Sequence, residues 1–174
     1  MASPNFSRRT LLAASVAGVA GVGFFAFAPF ARRFSGQAVA SEGNFEVRFS
    51  QDEWRAKLTA DQYAVLREEA TERPFTHAFN DEKRKGVFHC AGCDLPVYSS
   101  DVKYDSGTGW PSFWDSLPEA IGTKEDSTLF SVRTECHCRR CGGHFGHIFD
   151  DGPQPTGKRH CLNGTALTFV PATA

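Results

Sequence analysis

The chain has 174 residues, 41% of them hydrophobic and 13% aromatic, with a formal net charge of −1. That length fits one domain with a terminal extension and a sizeable core. Residues 1–40 hold Arg8, Arg9, Arg32 and Arg33 and no acid, which leaves 15 basic against 20 acidic residues in 41–174. A net-acidic body argues against nucleic acid as a partner, because phosphate binding needs a basic surface.

Residues 1–40 read as an address. Ser7-Arg8-Arg9-Thr10-Leu11-Leu12 is a twin-arginine pattern ahead of the charge-free run 11–31, and Ala38-Val39-Ala40 offers a small-x-small cleavage site before Ser41. Charged start, apolar middle and small-residue end make an export signal. The twin arginine resembles signals read by the machinery that exports folded proteins, so a periplasmic protein is expected. The alternative is an uncleaved membrane anchor, since the run has about the ~20 residues a span needs. Its many Gly and Ala residues favour cleavage.

Next come two helix starts. Ser50-Gln51-Asp52-Glu53 and Thr59-Ala60-Asp61-Gln62 both fit the capping box, predicting short helices over 51–57 and 60–70. Pro74 closes this region. From Lys85 the texture changes to β-like runs between turn residues: 86–90, 96–99, 130–135, 147–149 and 159–169. The expected fold is mainly β, with two antiparallel sheets forming a sandwich- or barrel-like core and short N-terminal helices.

Cys90-Ala91-Gly92-Cys93 and Cys138-Arg139-Arg140-Cys141 are two Cys-x-x-Cys units with 44 residues between them. Each forms a tight turn that aims two sulfurs at one point, and four thiolates arranged tetrahedrally make a closed structural zinc site. The other readings are an iron–sulfur cluster, for which no further motif speaks, and disulfides, which an oxidising compartment permits. A disulfide inside such a unit would staple almost nothing. Cys136 and Cys161 are left over.

On a strand, Arg159, Cys161 and Asn163 share one face. A guanidinium beside a thiol favours the thiolate, which is the nucleophilic form. The Asn163 amide can bond a bound group, and His144 and His147 could bring imidazoles to the same place. The bland alternative is that Cys161 is an ordinary buried cysteine.

Several stretches resemble the B-type methionine sulfoxide reductases: CAGC at 90–93, SGTGWPSF at 106–113, VRTE at 132–135, HFGHIFDDGP at 144–153 and GKRHCLNGTALTF at 157–169. The likeness spans about residues 48–170. It implies reduction of the R epimer of methionine sulfoxide in oxidised proteins. Cys161 matches the nucleophile, which becomes a sulfenic acid. His144 and His147 match the site imidazoles that serve protonation of the sulfoxide oxygen. Arg159 and Asn163 match the residues flanking the nucleophile, Asp151 matches an acid that supports the histidines, and Trp110 matches the wall that receives the S-methyl group. A thioredoxin-like thiol would regenerate the enzyme. His160 stands where the family usually has Tyr, with its side chain expected to point away from Cys161, and Gly164-Thr165 replace the commoner Ser-Ala. Thr108 stands where many members carry a cysteine that resolves the sulfenic acid. Cys136 is then the possible resolving thiol; direct reduction by an external thiol and a passive Cys136 are the alternatives. A non-catalytic, zinc-stapled binding module is the competing function, and it would have no need for the Cys161 residue set.

Overall fold

The computed structural model describes residues 44–128 and 131–173. The export-signal and anchor readings of residues 1–40 fall outside them. Among the described residues, no helix is long and apolar enough to cross a membrane.

Both helices begin on the capping boxes. In α1 (Gln51–Lys57) the Ser50 side chain accepts from the Glu53 N–H while the Glu53 carboxylate accepts from the Ser50 N–H. In α2 (Ala60–Glu68) Thr59 and Gln62 repeat the exchange. Two orphan donors are satisfied at each start, which is why such short segments hold a helix at all. α2 ends earlier than expected, at Glu69, whose φ of 57° is left-handed. The helices bury Trp54, Tyr63, Val65 and Leu66 against the β core.

Among the described residues nine strands follow: β1 (Gly86–Cys90), β2 (Pro96–Ser99), β3 (Lys103–Tyr104), β4 (Ser112–Phe113), β5 (Ile121–Asp126), β6 (Arg133–Cys138), β7 (His144–Phe149), β8 (Arg159–Leu162) and β9 (Leu167–Pro171). They form a three-stranded sheet, β2-β1-β9, and a six-stranded sheet, β3-β4-β8-β7-β6-β5. Every pairing is antiparallel. Aromatic side chains join the two sheets. Phe113 of β4 packs on Phe88 of β1 at 5.1 Å between ring centroids and on Tyr98 of β2 at 4.6 Å. All three are fully buried.

The expected strand over 159–169 is in fact two. β8 stops at Leu162, a 3-10 turn occupies Gly164–Ala166, and β9 continues in the other sheet beside β1. The Glu72 carboxylate accepts the N–H groups of Gly164 and Thr165 at 2.7 and 2.9 Å, and the Thr165 hydroxyl at 2.7 Å. An anchored turn of this kind lets one apolar run serve two sheets. The expected strand over 147–149 is part of β7, while that over 130–135 meets β6 only at 133–135, with residue 130 outside the described residues. β3, β4 and β5 went unforeseen: two are only two residues long, and β5 is mostly polar.

Candidate active site and metal centre

Cys161 lies within β8, opposite Ser112 of β4 on one side and His147 of β7 on the other. Directly opposed residues of antiparallel strands share a face. Ser112, Cys161 and His147 therefore line up, and Glu135 of β6 extends the row. Gly146 permits the close packing of β7 on β8: a Cβ there would sit 2.1 Å from the Cys161 carbonyl oxygen, and its φ is +154°. Only glycine combines that space with that backbone.

Each site histidine is held by a carboxylate. His147 Nε2 lies 2.7 Å from Asp126 Oδ2, and His144 Nδ1 lies 2.7 Å from Glu135 Oε1. A bulge between Cys136 and His137 turns His137 toward the same carboxylate, 3.2 Å from Glu135 Oε2. Hydrogen bonds from Thr128, then from His147 and Arg133, hold Asp126 well below the usual carboxylate range. Burial alone would raise Glu135; hydrogen bonds from His137 and His144 outweigh it and set the carboxyl at about 2. Ionised carboxylates only accept, so the facing ring nitrogens carry the protons. Burial lowers His147 below the ordinary imidazole value, and Asp126 only partly opposes it.

Asp151 does not support the histidines, as had been expected. It takes Arg159 in a two-point pair, with Nε and Nη2 each 2.8 Å from a carboxylate oxygen. That pair raises Arg159 and fixes the guanidinium plane, which also lies 4.4 Å from the Phe149 ring centroid. Nor does Arg159 outweigh burial at Cys161. Burial pushes Cys161 up, against the opposing pull of Thr108, Arg159 and Ser112.

A pocket of about 140 Å³ opens over this row, lined by Trp110, Phe149, His147, Arg133, Asn163 and Cys161 among others. A cavity of roughly 150 Å³ accepts a benzene-sized guest, so one apolar side-chain end with a polar tip fits. The Trp110 indole N–H donates to the Glu72 carbonyl at 3.1 Å, which orients the ring as a wall. Asn163 is more occupied than expected: Oδ1 accepts from Glu72 N–H at 2.9 Å, and Nδ2 donates to Phe145 O at 3.0 Å. One amide hydrogen is left for a guest.

Cys136 is on the other face of the sheet. It is fully buried, 3.6 Å from the Tyr98 hydroxyl, which lies 3.0 Å from His160 Nδ1. Burial pushes the Cys136 thiol up to about 12 and His160 down to about 4. His160 points away from the Cys161 face, as expected. The geometry does not bring Cys136 to Cys161, because β6, β7 and β8 stand between their faces as one sheet; this disfavours the resolving role. Thr108 does reach Cys161, with Oγ1 3.8 Å from Sγ.

Cys90, Cys93, Cys138 and Cys141 converge, with one ligand atom from each lying within 4.8 Å of the others. Cys90 and Cys141 sulfurs are 3.7 Å apart, and Cys93 and Cys138 sulfurs 3.5 Å. These are not disulfides, whose S–S bond is about 2.05 Å. A tetrahedral centre with Zn–S of about 2.3 Å spaces its sulfurs by about 3.8 Å, so the donor set fits such an ion. The Cys138 N–H···O bond to Gly143 and the Gly142 N–H···O bond to Cys138, both 2.8 Å, brace the second turn.

Sequence reasoning missed Asp126, Glu135 and Glu72. For Glu135 the signal was available: alternation along β6 puts it beside His137. Asp126 ends a run, Lys124-Glu125-Asp126, that reads as solvated charge, and Glu72 sits in an irregular segment whose partners are about 90 residues away.

A β domain stapled by four cysteines, with a separate thiol at an indole-walled pocket, defines a class of thiol oxidoreductase. The SelR domain family matches residues 58–171. The chain is 49% identical over 127 residues to the peptide methionine sulfoxide reductase MsrB of Agrobacterium fabrum, covering 72% of this chain and 94% of that one. It is 50% identical over 124 residues to MsrB of Methanosarcina barkeri (71% and 87%) and 46% identical over 127 residues to MsrB of Leptospira interrogans (72% and 97%). The chain belongs to the SelR domain family, that of the B-type methionine sulfoxide reductases.

Proposed function

We propose that this protein reduces the R epimer of methionine sulfoxide in peptides, with Cys161 as nucleophile. The observation that carries the reading is Cys161 beside an indole wall, with a histidine–carboxylate pair on the adjacent strand. Trp110 receives the S-methyl group, and the polar S–O end faces His147, Arg133 and Asn163. The Cys161 thiolate attacks the sulfoxide sulfur, and a proton reaches the sulfoxide oxygen through the imidazole pair. Oxygen moves to Cys161, giving a sulfenic acid and methionine. The methionine sulfur gains two electrons and the cysteine sulfur loses two.

Thr108 cannot form a disulfide and Cys136 lies behind the sheet. An external dithiol of the thioredoxin kind therefore attacks the sulfenic acid directly; two thiols become one disulfide, and water leaves. The four-cysteine centre holds structural zinc, which ties the β1–β2 turn to the β6–β7 turn. The protein is exported through the twin-arginine machinery and works in the periplasm, cleaved before Ser41 or retained by its N-terminal segment; mass spectrometry of the exported chain reads which.

Single turnover on a racemic methionine sulfoxide peptide tests the activity. One epimer should disappear, and Cys161→Ser should abolish the loss. Consumption of both epimers, or of neither, would refute the reading.

A further inference from the structure

Four groups form a chain of hydrogen bonds that ends on the reacting sulfur. Cys161 Sγ lies 3.8 Å from Thr108 Oγ1, Thr108 Oγ1 lies 2.8 Å from Ser106 Oγ, and Ser106 Oγ lies 2.8 Å from Ser112 Oγ. The Ser112 hydroxyl donates to the Trp110 carbonyl at 3.1 Å. Each hydroxyl has one hydrogen to donate. If Ser112 gives its hydrogen to Trp110, Ser106 must give its own to Ser112, and Thr108 must give its own to Ser106. The Cys161–Thr108 contact is then made only by the thiol S–H. All four bonds are satisfied together when Cys161 is protonated.

Ionisation removes that hydrogen. A thiolate only accepts, so Thr108 turns its hydrogen to Sγ; the hydroxyl–hydroxyl bonds are then kept only if Ser106 turns to Thr108 and Ser112 turns to Ser106 and leaves the Trp110 carbonyl. We infer that Ser106, Thr108 and Ser112 form a hydroxyl relay that reverses direction when Cys161 ionises, with Thr108 as the catalytic donor to the thiolate and Ser106 as the positioning residue that competes for the Thr108 hydrogen. The relay couples the nucleophile to the backbone of Trp110, the wall of the pocket. Its value for turnover rests on the reading of Cys161 as the reacting thiol; the reversal itself does not.

The variants differ in sign. Thr108→Val removes the larger of the two hydroxyl influences that favour ionised Cys161; Ser112 supplies the smaller. Ser106→Ala removes the competitor, so Thr108 donates to the thiolate while Ser112 stays on Trp110. The other groups facing Cys161 are Arg159 on its own strand, His147 on β7, Tyr104 on β3 and, from the reverse face, Cys136. All are unchanged in both variants.

The test is the rate of iodoacetamide alkylation at Cys161 against pH, read by peptide mass spectrometry on the full-length protein. It needs no sulfoxide, so it stays informative even if the substrate assignment fails. Thr108→Val should lower the rate at neutral pH about tenfold, one unit of apparent pKa. Thr108→Ser should restore it, and Ser106→Ala should leave it equal to or above the parent. An unchanged rate in Thr108→Val would overturn the relay. So would a fall in Ser106→Ala parallel to that in Thr108→Val, which would mark the loop as merely structural.

Discussion

The two faces of the six-stranded sheet carry the same residue types to opposite ends. On the front, β6, β7 and β8 present Glu135, His147 and Cys161, and each polar group meets a charge, a hydroxyl or the pocket. On the back, Cys136 and His160 meet through Tyr98 and are sealed. There Cys136 S–H can donate to the Tyr98 oxygen and Tyr98 O–H to His160 Nδ1, a closed run that needs every member neutral. Burial raises both thiols; at Cys161 it is opposed by Thr108, Arg159 and Ser112, whereas at Cys136 only Tyr98 opposes it and the thiol is pushed up to about 12. Cysteine and histidine are made reactive or silent by what surrounds them.

The sharpest break of that contrast is at the two thiols. Cys161→Ser should cost more than about 10³-fold in turnover, since the covalent step has no substitute. Initial rates with peptide methionine sulfoxide and excess dithiothreitol measure it.

The back face answers in stability. His160 is neutral when folded, with its pKa near 4, against about 6.5 in an unfolded chain. Below 6.5 the unfolded state binds the proton first, so stability is full above that pH and falls as pH drops toward 4. The loss should reach about 2 kcal/mol by pH 5. His160→Tyr should flatten this limb in urea titrations at pH 7 and pH 5; an equal slope in both proteins would show that His160 is not the group responsible.

A smaller effect is expected at Asp126→Asn on the front. It removes the one interaction of that pair that raises His147, so the imidazole pKa falls further. Turnover at neutral pH should drop about tenfold, with the alkaline limb of the profile, where the protonated imidazole is lost, shifted to lower pH. Stopped-assay pH profiles read both. The smallest effect belongs to Cys136→Ala: about 1 kcal/mol of stability lost, with turnover within about twofold. A loss of turnover as large as that of Cys161→Ser would end the distinction between the faces.

Much of this was legible along the chain because the signals are local. The capping boxes placed both helix starts, two Cys-x-x-Cys units placed the metal donors, and alternation put Arg159 and Cys161 on one side of β8. What escaped was set by partners distant in sequence. Asp151 is close to the histidines along the chain, yet β8 delivers Arg159 to it, while β5 delivers Asp126 to His147. Strand 159–169 looked continuous because its apolar pattern is continuous; the break at Asn163 comes from Glu72, a residue from the far end of the domain. Thr108 was noticed only for the thiol it lacks, and its hydroxyl contact with Sγ needed the fold to be seen.

The most direct measurement is mass spectrometry of the protein after one turnover without external thiol, with dimedone present to trap sulfenic acid. The account predicts one dimedone adduct, on Cys161, with Cys136 still a free thiol. A Cys136–Cys161 disulfide, or an adduct on any other cysteine, would contradict it.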